Sequence, residues 1–110
     1  MRTLNFIVDG QIVKRDPACD FSGLIPGTKN YLHARFSFSK EWDRCTKVVG
    51  FYSMMGKEYG GEKLDDLNSC MIPAEACAKQ NFQVKVFGIG ANGLNLTTNK
   101  VTVSQNGGSE

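Results

Sequence analysis

Short apolar segments of strand length recur along this chain, and each one ends at residues that favour a turn. The turn pairs are Asp-Gly, Pro-Gly, Gly-Gly and Asn-Gly, which interrupt regular structure. The segments are Leu4–Val8, Tyr31–Phe38, Lys47–Tyr52, Met71–Ile72, Phe82–Ile89 and Leu94–Val103. Many short strands with such turns are typical of an all-β sandwich or barrel. The sequence therefore predicts an all-β sandwich of about seven or eight strands with one short helical turn.

Length and charge narrow the class further. A chain of 110 residues fits one domain, which we place at residues 1–104, followed by a flexible polar tail at residues 105–110. The 13 Lys and Arg against 11 Asp and Glu are interspersed, without the basic block typical of nucleic-acid binding. The apolar runs are far shorter than the about 20 residues that span a bilayer, and the first residues lack a signal-peptide pattern. We expect no nucleic-acid partner, no membrane contact and synthesis in a cytosol.

Four cysteines agree with that compartment: Cys19, Cys45, Cys70 and Cys77. No Cys-x-x-Cys pair is present, and the spacing does not match a metal site. Thiols made in a cytosol stay reduced. We expect four free thiols and neither a metal nor a cofactor.

The local patterns predict several elements. Asp9-Gly10 between two apolar runs indicates a hairpin from Leu4 to Lys14 with a type I′ turn, and the residues from Arg15 to Gly27 form a loop. Tyr31–Phe38 alternates, which predicts one buried and one solvent-facing side. A helical turn follows at Ser39–Arg44, in which Trp42 buries its ring and pairs its N–H.

The second half of the chain gives further predictions. Lys57–Tyr59 and Glu62–Leu64 suggest two short edge strands around a turn at Gly60-Gly61. Pro73–Lys79 has the composition of a short helix. The inward residues of the next strand are Phe82, Val84 and Val86. The parity of apolar residues changes within Leu94–Val103, and a bulge near Thr98-Asn99 would account for it.

Candidate catalytic groups are few. His33 is the single histidine, and we expect it on the solvent face of its strand; an enzyme would need a pocket that joins it to Cys45 or Cys70. The pairs Asp65-Asp66 and Glu41 with Asp43 lack the spacing of a calcium loop, and we interpret them as solvated turn carboxylates. We predict no catalytic, cofactor-binding or metal-binding residue.

Two further patterns in the sequence are typical of binding sites. Gly88–Gly93 matches the Gly-x-Gly-x-x-Gly pattern of dinucleotide loops, but a strand rather than a helix follows it, which favours a hairpin turn. Tyr31, Arg35 and Tyr59 could form an aromatic and polar platform for host glycans. A carbohydrate-binding module is therefore an alternative function of a different class.

Four motifs occur in an order that resembles a known family. They are Phe36–Asp43 with its Glu-Trp-Asp corner, Ile72–Glu75, Phe82–Gly88, and Leu96–Val103 with its Thr-Thr-Asn sequence. In this order they resemble the small immunoglobulin-like domains of phage and prophage structural proteins. The resemblance covers about two thirds of the chain, from Tyr31 to Val103.

The resemblance implies an immunoglobulin-like β-sandwich and a non-enzymatic role in a virion assembled in the bacterial cytoplasm. Members of the family decorate capsids, form the base of head fibres, or begin baseplate and tail-fibre proteins. The chain ends at Glu110 without a fibre segment, which favours a capsid decoration or head-fibre component over a baseplate or tail-fibre adaptor. The implied partners are the major capsid protein or another virion protein, and sister subunits on a symmetric particle. The predicted contact segments are Leu4–Lys14, Arg15–Gly27 and the polar tail.

Overall fold

Alternating apolar and polar residues form the strands of a two-layer sandwich in the computed structural model, which describes residues 1–105. The all-β prediction is confirmed, with nine strands in this part of the chain rather than seven or eight. A four-residue helix, α1, covers Ala74–Cys77, and 3₁₀ turns cover Lys40–Trp42 and Ala91–Gly93. The strands are β1 (Arg2–Asp9), β2 (Ile12–Arg15), β3 (Leu32–Phe38), β4 (Thr46–Tyr52), β5 (Glu58–Lys63), β6 (Ser69–Met71), β7 (Asn81–Ile89), β8 (Asn95–Thr97) and β9 (Val101–Ser104).

The strands form two sheets. The first sheet has the order β2-β1-β3-β6, and the second has the order β5-β4-β7-β8, with β9 also paired to β7. All pairs are antiparallel except β1 with β3, which run parallel with Phe6 opposite Phe36. This parallel pair arises because the loop after β2 carries the chain past β1 to its other side.

The core lies between the sheets and is lined by the side chains that alternation predicted. Ala34, Phe82, Val84 and Val86 are all 0% exposed. An aromatic series runs along the interior, with ring centroids 5.1 to 6.1 Å apart; in order it is Phe21, Phe6, Phe36, Phe38 and Trp42.

Trp42 confirms the predicted corner. Its ring is fully buried, and its Nε1–H donates a 2.9 Å hydrogen bond to the Gly10 carbonyl. The ring lies flat against Gly88 on β7, where a β-carbon would be only 2.6 Å from Cζ3 of the indole. A glycine is therefore required at the end of the Phe-Gly motif.

Two turn predictions were wrong. Asp9 pairs with Ile12, so the hairpin turn consists of Gly10 and Gln11, and only Gly10 has a positive φ, of 59°. A type I′ turn needs positive φ at both residues. Likewise Gly60 and Gly61 form no turn: they pair with Phe51 and Gly50 inside one strand, β5, in which Gly60 adopts a φ of 133° that other residues rarely adopt.

The parity change near the C-terminus has a different cause from the predicted bulge. The segment divides into β8 and β9, which pair with different parts of β7. Thr98 occupies the break: its N–H donates to the Val86 carbonyl, and its Oγ1 accepts a 3.0 Å hydrogen bond from the Val86 N–H. The Thr98 side chain thus replaces one backbone hydrogen bond between the strands.

Asn99 then joins the two sheets. Its Oδ1 accepts a 2.7 Å hydrogen bond from the Val13 N–H, and its Nδ2 donates to the Val13 carbonyl at 3.3 Å. The side-chain amide therefore pairs with the outer edge of β2 as a neighbouring strand would, and it protects that edge.

Gln105, predicted from the sequence to belong to the polar tail, is packed within the sandwich. Gln105 is fully buried, and its Nε2 donates to the carbonyls of Cys77 and Lys79 at 2.9 and 2.7 Å. It is consequently part of the packed domain rather than of a flexible tail, and residues 106–110 of the predicted tail lie outside the described residues. Within residues 1–105, no helix is long and apolar enough to cross a membrane.

Candidate docking surface

The candidate nucleophilic groups are not brought together. His33 is half-buried on the outer side of β3, whereas Cys70 is paired with Ala34 and points into the core. Burial, together with the nearby charges of Glu62 and Asp65, raises the pKa of the Cys70 thiol to about 12. Cys45 is buried against the Trp42 corner, beyond the other end of β3. All four cysteines are free, as predicted.

The predicted turn carboxylates serve the backbone. Oδ1 of Asp65 accepts hydrogen bonds from the N–H groups of Leu67 and Ser69 at 2.9 and 3.0 Å, and these bonds lower its pKa. Glu41 accepts a hydrogen bond from the Ser39 hydroxyl, which lowers its pKa as well. Across residues 1–105, no three His, Cys, Asp or Glu side chains cluster as metal ligands would.

The glycine motif forms a turn, and the residues of the proposed aromatic platform lie on different sheets. Gly88–Gly93 ends β7 and turns through a 3₁₀ segment into β8, as the turn interpretation predicted. Arg35 lies on the outer side of the first sheet, while Tyr59 belongs to the second sheet and packs against the core. Tyr31, Arg35 and Tyr59 therefore do not form one surface.

The predicted contact segments also contribute to the fold. Leu4, Phe6, Val8 and Val13 of the N-terminal hairpin are core residues. The loop after β2 places Leu24 in the core and hydrogen-bonds along the part of β1 that β2 leaves unpaired, as in the 3.0 Å bond from the Asp16 N–H to the Asn5 carbonyl. Core packing accounts for these apolar residues of the two segments.

The outer side of the second sheet presents large apolar residues that the core does not use, and these residues lie beside a groove. Residues directly opposite in an antiparallel pair share a face. The pairing of Val48 with Phe87 and of Thr46 with Ile89 therefore places these residues on the outer side of β4 and β7. Ile89 is 56% exposed, and Val48 and Phe87 are half-buried. We call this outer side, defined by Val48, Tyr52, Lys63, Lys85, Phe87, Ile89 and Lys100, the lysine face.

A groove of about 420 Å³ opens on this face along β7 and β8. Four other grooves on the described surface have volumes of about 170 to 280 Å³. The large groove is lined by Val48, Phe87, Gly88, Ile89, Asn95, Leu96 and Thr97. Its walls are mainly apolar side chains with no charged group among them, which is the composition of a contact site for another apolar group.

Three lysines lie on the same side of the sheet as this groove: Lys63, Lys85 and Lys100. Lys63 is opposite Val48, and Nζ of Lys85 lies 5.2 Å from the centre of the Phe87 ring. Nζ of Lys100 lies 4.5 Å from the centre of the Tyr52 ring. These distances are within the range of cation–π attraction, which holds the ammonium groups at the face.

A glycine shapes the position of Tyr52. The tyrosine ring lies over Gly50, where a β-carbon would be 2.5 Å from the hydroxyl oxygen. Burial of the ring raises the pKa of Tyr52, and the adjacent Glu58 carboxylate raises it further. Gly50 therefore makes room for the Tyr52 ring, which belongs to the lysine face.

Sequence reasoning missed this face although a signal was present. Phe87 and Ile89 alternate out of phase with the buried residues of β7, so they had to point outward. Recognising the groove also required Val48, which reaches Phe87 only through the register of β4 with β7.

Comparisons with protein-family models, with curated proteins and with solved structures find no match for this chain.

Proposed function

We propose that this protein is a non-enzymatic structural component of a phage particle, which docks on the capsid as a decoration or head-fibre component. The observation that carries the proposal is the lysine face, an apolar groove with a basic rim that the core does not need. A surface of this composition suits attachment to another protein.

The four motifs that resemble phage immunoglobulin-like domains support this assignment, because each has a packing role in the sandwich. The Glu-Trp-Asp corner seats Trp42, Gly88 makes room for it, and Thr98 with Asn99 completes the ladder and joins the sheets. The helix α1 begins within the Ile-Pro-Ala-Glu motif, at Ala74, and the Cys77 carbonyl accepts a hydrogen bond from Gln105. Motifs used together in this way favour an immunoglobulin-like sandwich.

The test is co-sedimentation of the purified protein with empty capsids and, separately, with isolated tails of the parent phage at two salt concentrations. We expect binding to capsids at a stoichiometry set by the symmetry of the shell. Binding to tails alone would replace the proposal with a baseplate or tail-fibre adaptor. Binding to neither particle would refute a virion role, and a panel of host-wall polysaccharides would then test the carbohydrate-binding alternative.

A further inference from the structure

We infer that the lysine face binds an acidic segment of a partner protein through an aliphatic or aromatic side chain that enters the groove beside Ile89. This inference rests on the proposed function and specifies the chemistry of the docking partner.

The groove supplies the apolar part of the docking site. Val48 and Phe87 line it and are only half-buried, and Ile89 at its border is 56% exposed. A volume of about 420 Å³ accommodates one or two large side chains. Burial of apolar surface is favourable because water is released from both partners, so the occupant that this groove favours is itself apolar.

The charged residues of the lysine face supply the second part of the docking site. The charged residues that point outward from the second sheet are Lys63, Lys85, Lys100 and Glu58, which leaves an excess of positive charge. Carboxylates on the partner complement this excess and speed the encounter. A second copy of the chain bound face to face would oppose lysines to lysines, so the partner segment has a different surface.

The arrangement favours a protein over a polyanion. Nucleic acids and acidic polysaccharides are bound by cations that follow the charged backbone. Here the lining of the groove is uncharged, and two of the nearby cations, Lys85 and Lys100, lie against the aromatic rings of Phe87 and Tyr52. A peptide segment supplies both an apolar anchor and flanking carboxylates.

The experiment is a titration of ¹⁵N-labelled protein followed by NMR amide shifts. The probe is a synthetic hexapeptide with carboxylates on both sides of a phenylalanine and a leucine. The control peptide has serine in place of both apolar residues, and heparin serves as the polyanion control. We expect shifts confined to β4, β7 and β8 with the apolar peptide, weaker binding at higher salt, and at least about ten-fold weaker binding of the serine peptide.

Matched variants separate the two contributions. Ile89→Asp is compared with Ile12→Asp, since these isoleucines are 56% and 54% exposed and lie on different sheets. Lys63→Glu/Lys85→Glu/Lys100→Glu is compared with a second triple reversal, Lys14→Glu/Lys29→Glu/Arg35→Glu, which makes the same change in net charge. We expect about ten-fold or greater weakening for the lysine-face variants and unchanged binding for both controls, with dispersed amide spectra throughout.

Three results would overturn the inference: no shifts on the lysine face at millimolar peptide, equal binding of the serine peptide or heparin, or equal loss in the control variants. Because the titration uses no phage particle, its failure is distinct from a failure of capsid docking. A protein that binds capsids but not the apolar peptide keeps the proposed function and loses this partner chemistry.

Discussion

The outer faces of the two sheets differ although both cover the same core. On the first sheet the outward positions are mostly polar, such as Thr3, Asn5 and Ser37, and the charged residues Asp9, Lys14 and Arg35 are of both signs. On the second sheet, Phe87 and Ile89 point outward, and lysines dominate the charge.

This difference shows which surface of the molecule is available for contacts with another molecule. A sandwich needs apolar residues only on the inner faces of its sheets, and polar residues outside are the ordinary arrangement. Both outer faces depart from it in places: Ile12 and Met71 are 54% and 39% exposed on the first sheet, and Ile89 is 56% exposed on the second. Only on the second sheet do the exposed apolar residues lie beside the groove of about 420 Å³. Departures of this kind point to contacts outside the chain rather than within it.

The largest expected effect is on the free energy of unfolding, and it compares the buried side of the second sheet with its outer side. Gly88→Ala places a methyl group against the Trp42 ring, where backbone and core side chains leave no room, and we expect a loss of about 1–3 kcal/mol in the free energy of unfolding. Urea unfolding followed by tryptophan fluorescence measures it. The control is Gly61→Ala on the outer side of the exposed edge strand, where the nearest atom is 3.5 Å from the new carbon. Equal losses in both variants would contradict the difference.

The next effect concerns the bond between the two sheets. Asn99→Ala leaves the Val13 N–H without the acceptor that Oδ1 supplies, and we expect a loss of about 1–2 kcal/mol in the free energy of unfolding. Amide hydrogen exchange should show faster exchange at Val13 than in the parent protein. Asn95→Ala on exposed β8 is the control. An unchanged exchange rate at Val13 would mean that the amide does not close the edge of β2.

A smaller effect isolates the lysine face from the core. In Gly50→Ala the new methyl group displaces the flexible end of Tyr52, so the free energy of unfolding should change by less than about 1 kcal/mol. The raised pKa of Tyr52 should fall towards its ordinary value of 10.0, because the ring loses its burial. Ultraviolet titration of the phenolate measures the pKa, with Gly61→Ala as the control. A pKa that stays raised would show that Tyr52 does not depend on Gly50 for its position.

The smallest effect lies in the turn that leads from β5 in the second sheet to β6 in the first. Hydrogen bonds from the backbone of Ser69 and Leu67 lower the pKa of Asp65 below its ordinary value of 3.8. The charged carboxylate therefore stabilises the fold above about pH 4, and this stabilisation is lost as the pH falls through the lowered pKa. Asp65→Asn keeps an acceptor oxygen but not the charge, so its thermal midpoint should fall less steeply between pH 5 and pH 2. Parallel pH profiles of the two proteins would refute this role, and Asp66→Asn is the control.

Several features of the fold could be predicted because they depend on neighbouring residues. Alternation in Leu32–Phe38 set its buried side, and the polar Ser39–Arg44 segment with one tryptophan indicated a corner. The errors lie where a distant partner decides. The sequence of Gly60-Gly61 is typical of a turn, but pairing with β4 makes it part of a strand. Gln105 belongs to a polar segment typical of a tail, but it is packed in the domain because the carbonyls of Cys77 and Lys79 accept its amide protons.

In the docking surface, too, some features depend on neighbouring residues and others on distant ones. That Phe87 and Ile89 point away from the buried side of β7 follows from the period of a strand, which depends only on the local backbone. The groove between them and Val48, the lysines around it and the Asn99 bridge to Val13 depend on pairings between residues far apart in the chain. The sequence alone determined the strands, the inward side chains and the corner, because their causes are local. Tertiary structure decided the parallel pairing of β1 with β3, the sheet edges and the lysine face, because strand register is set by packing of the whole core.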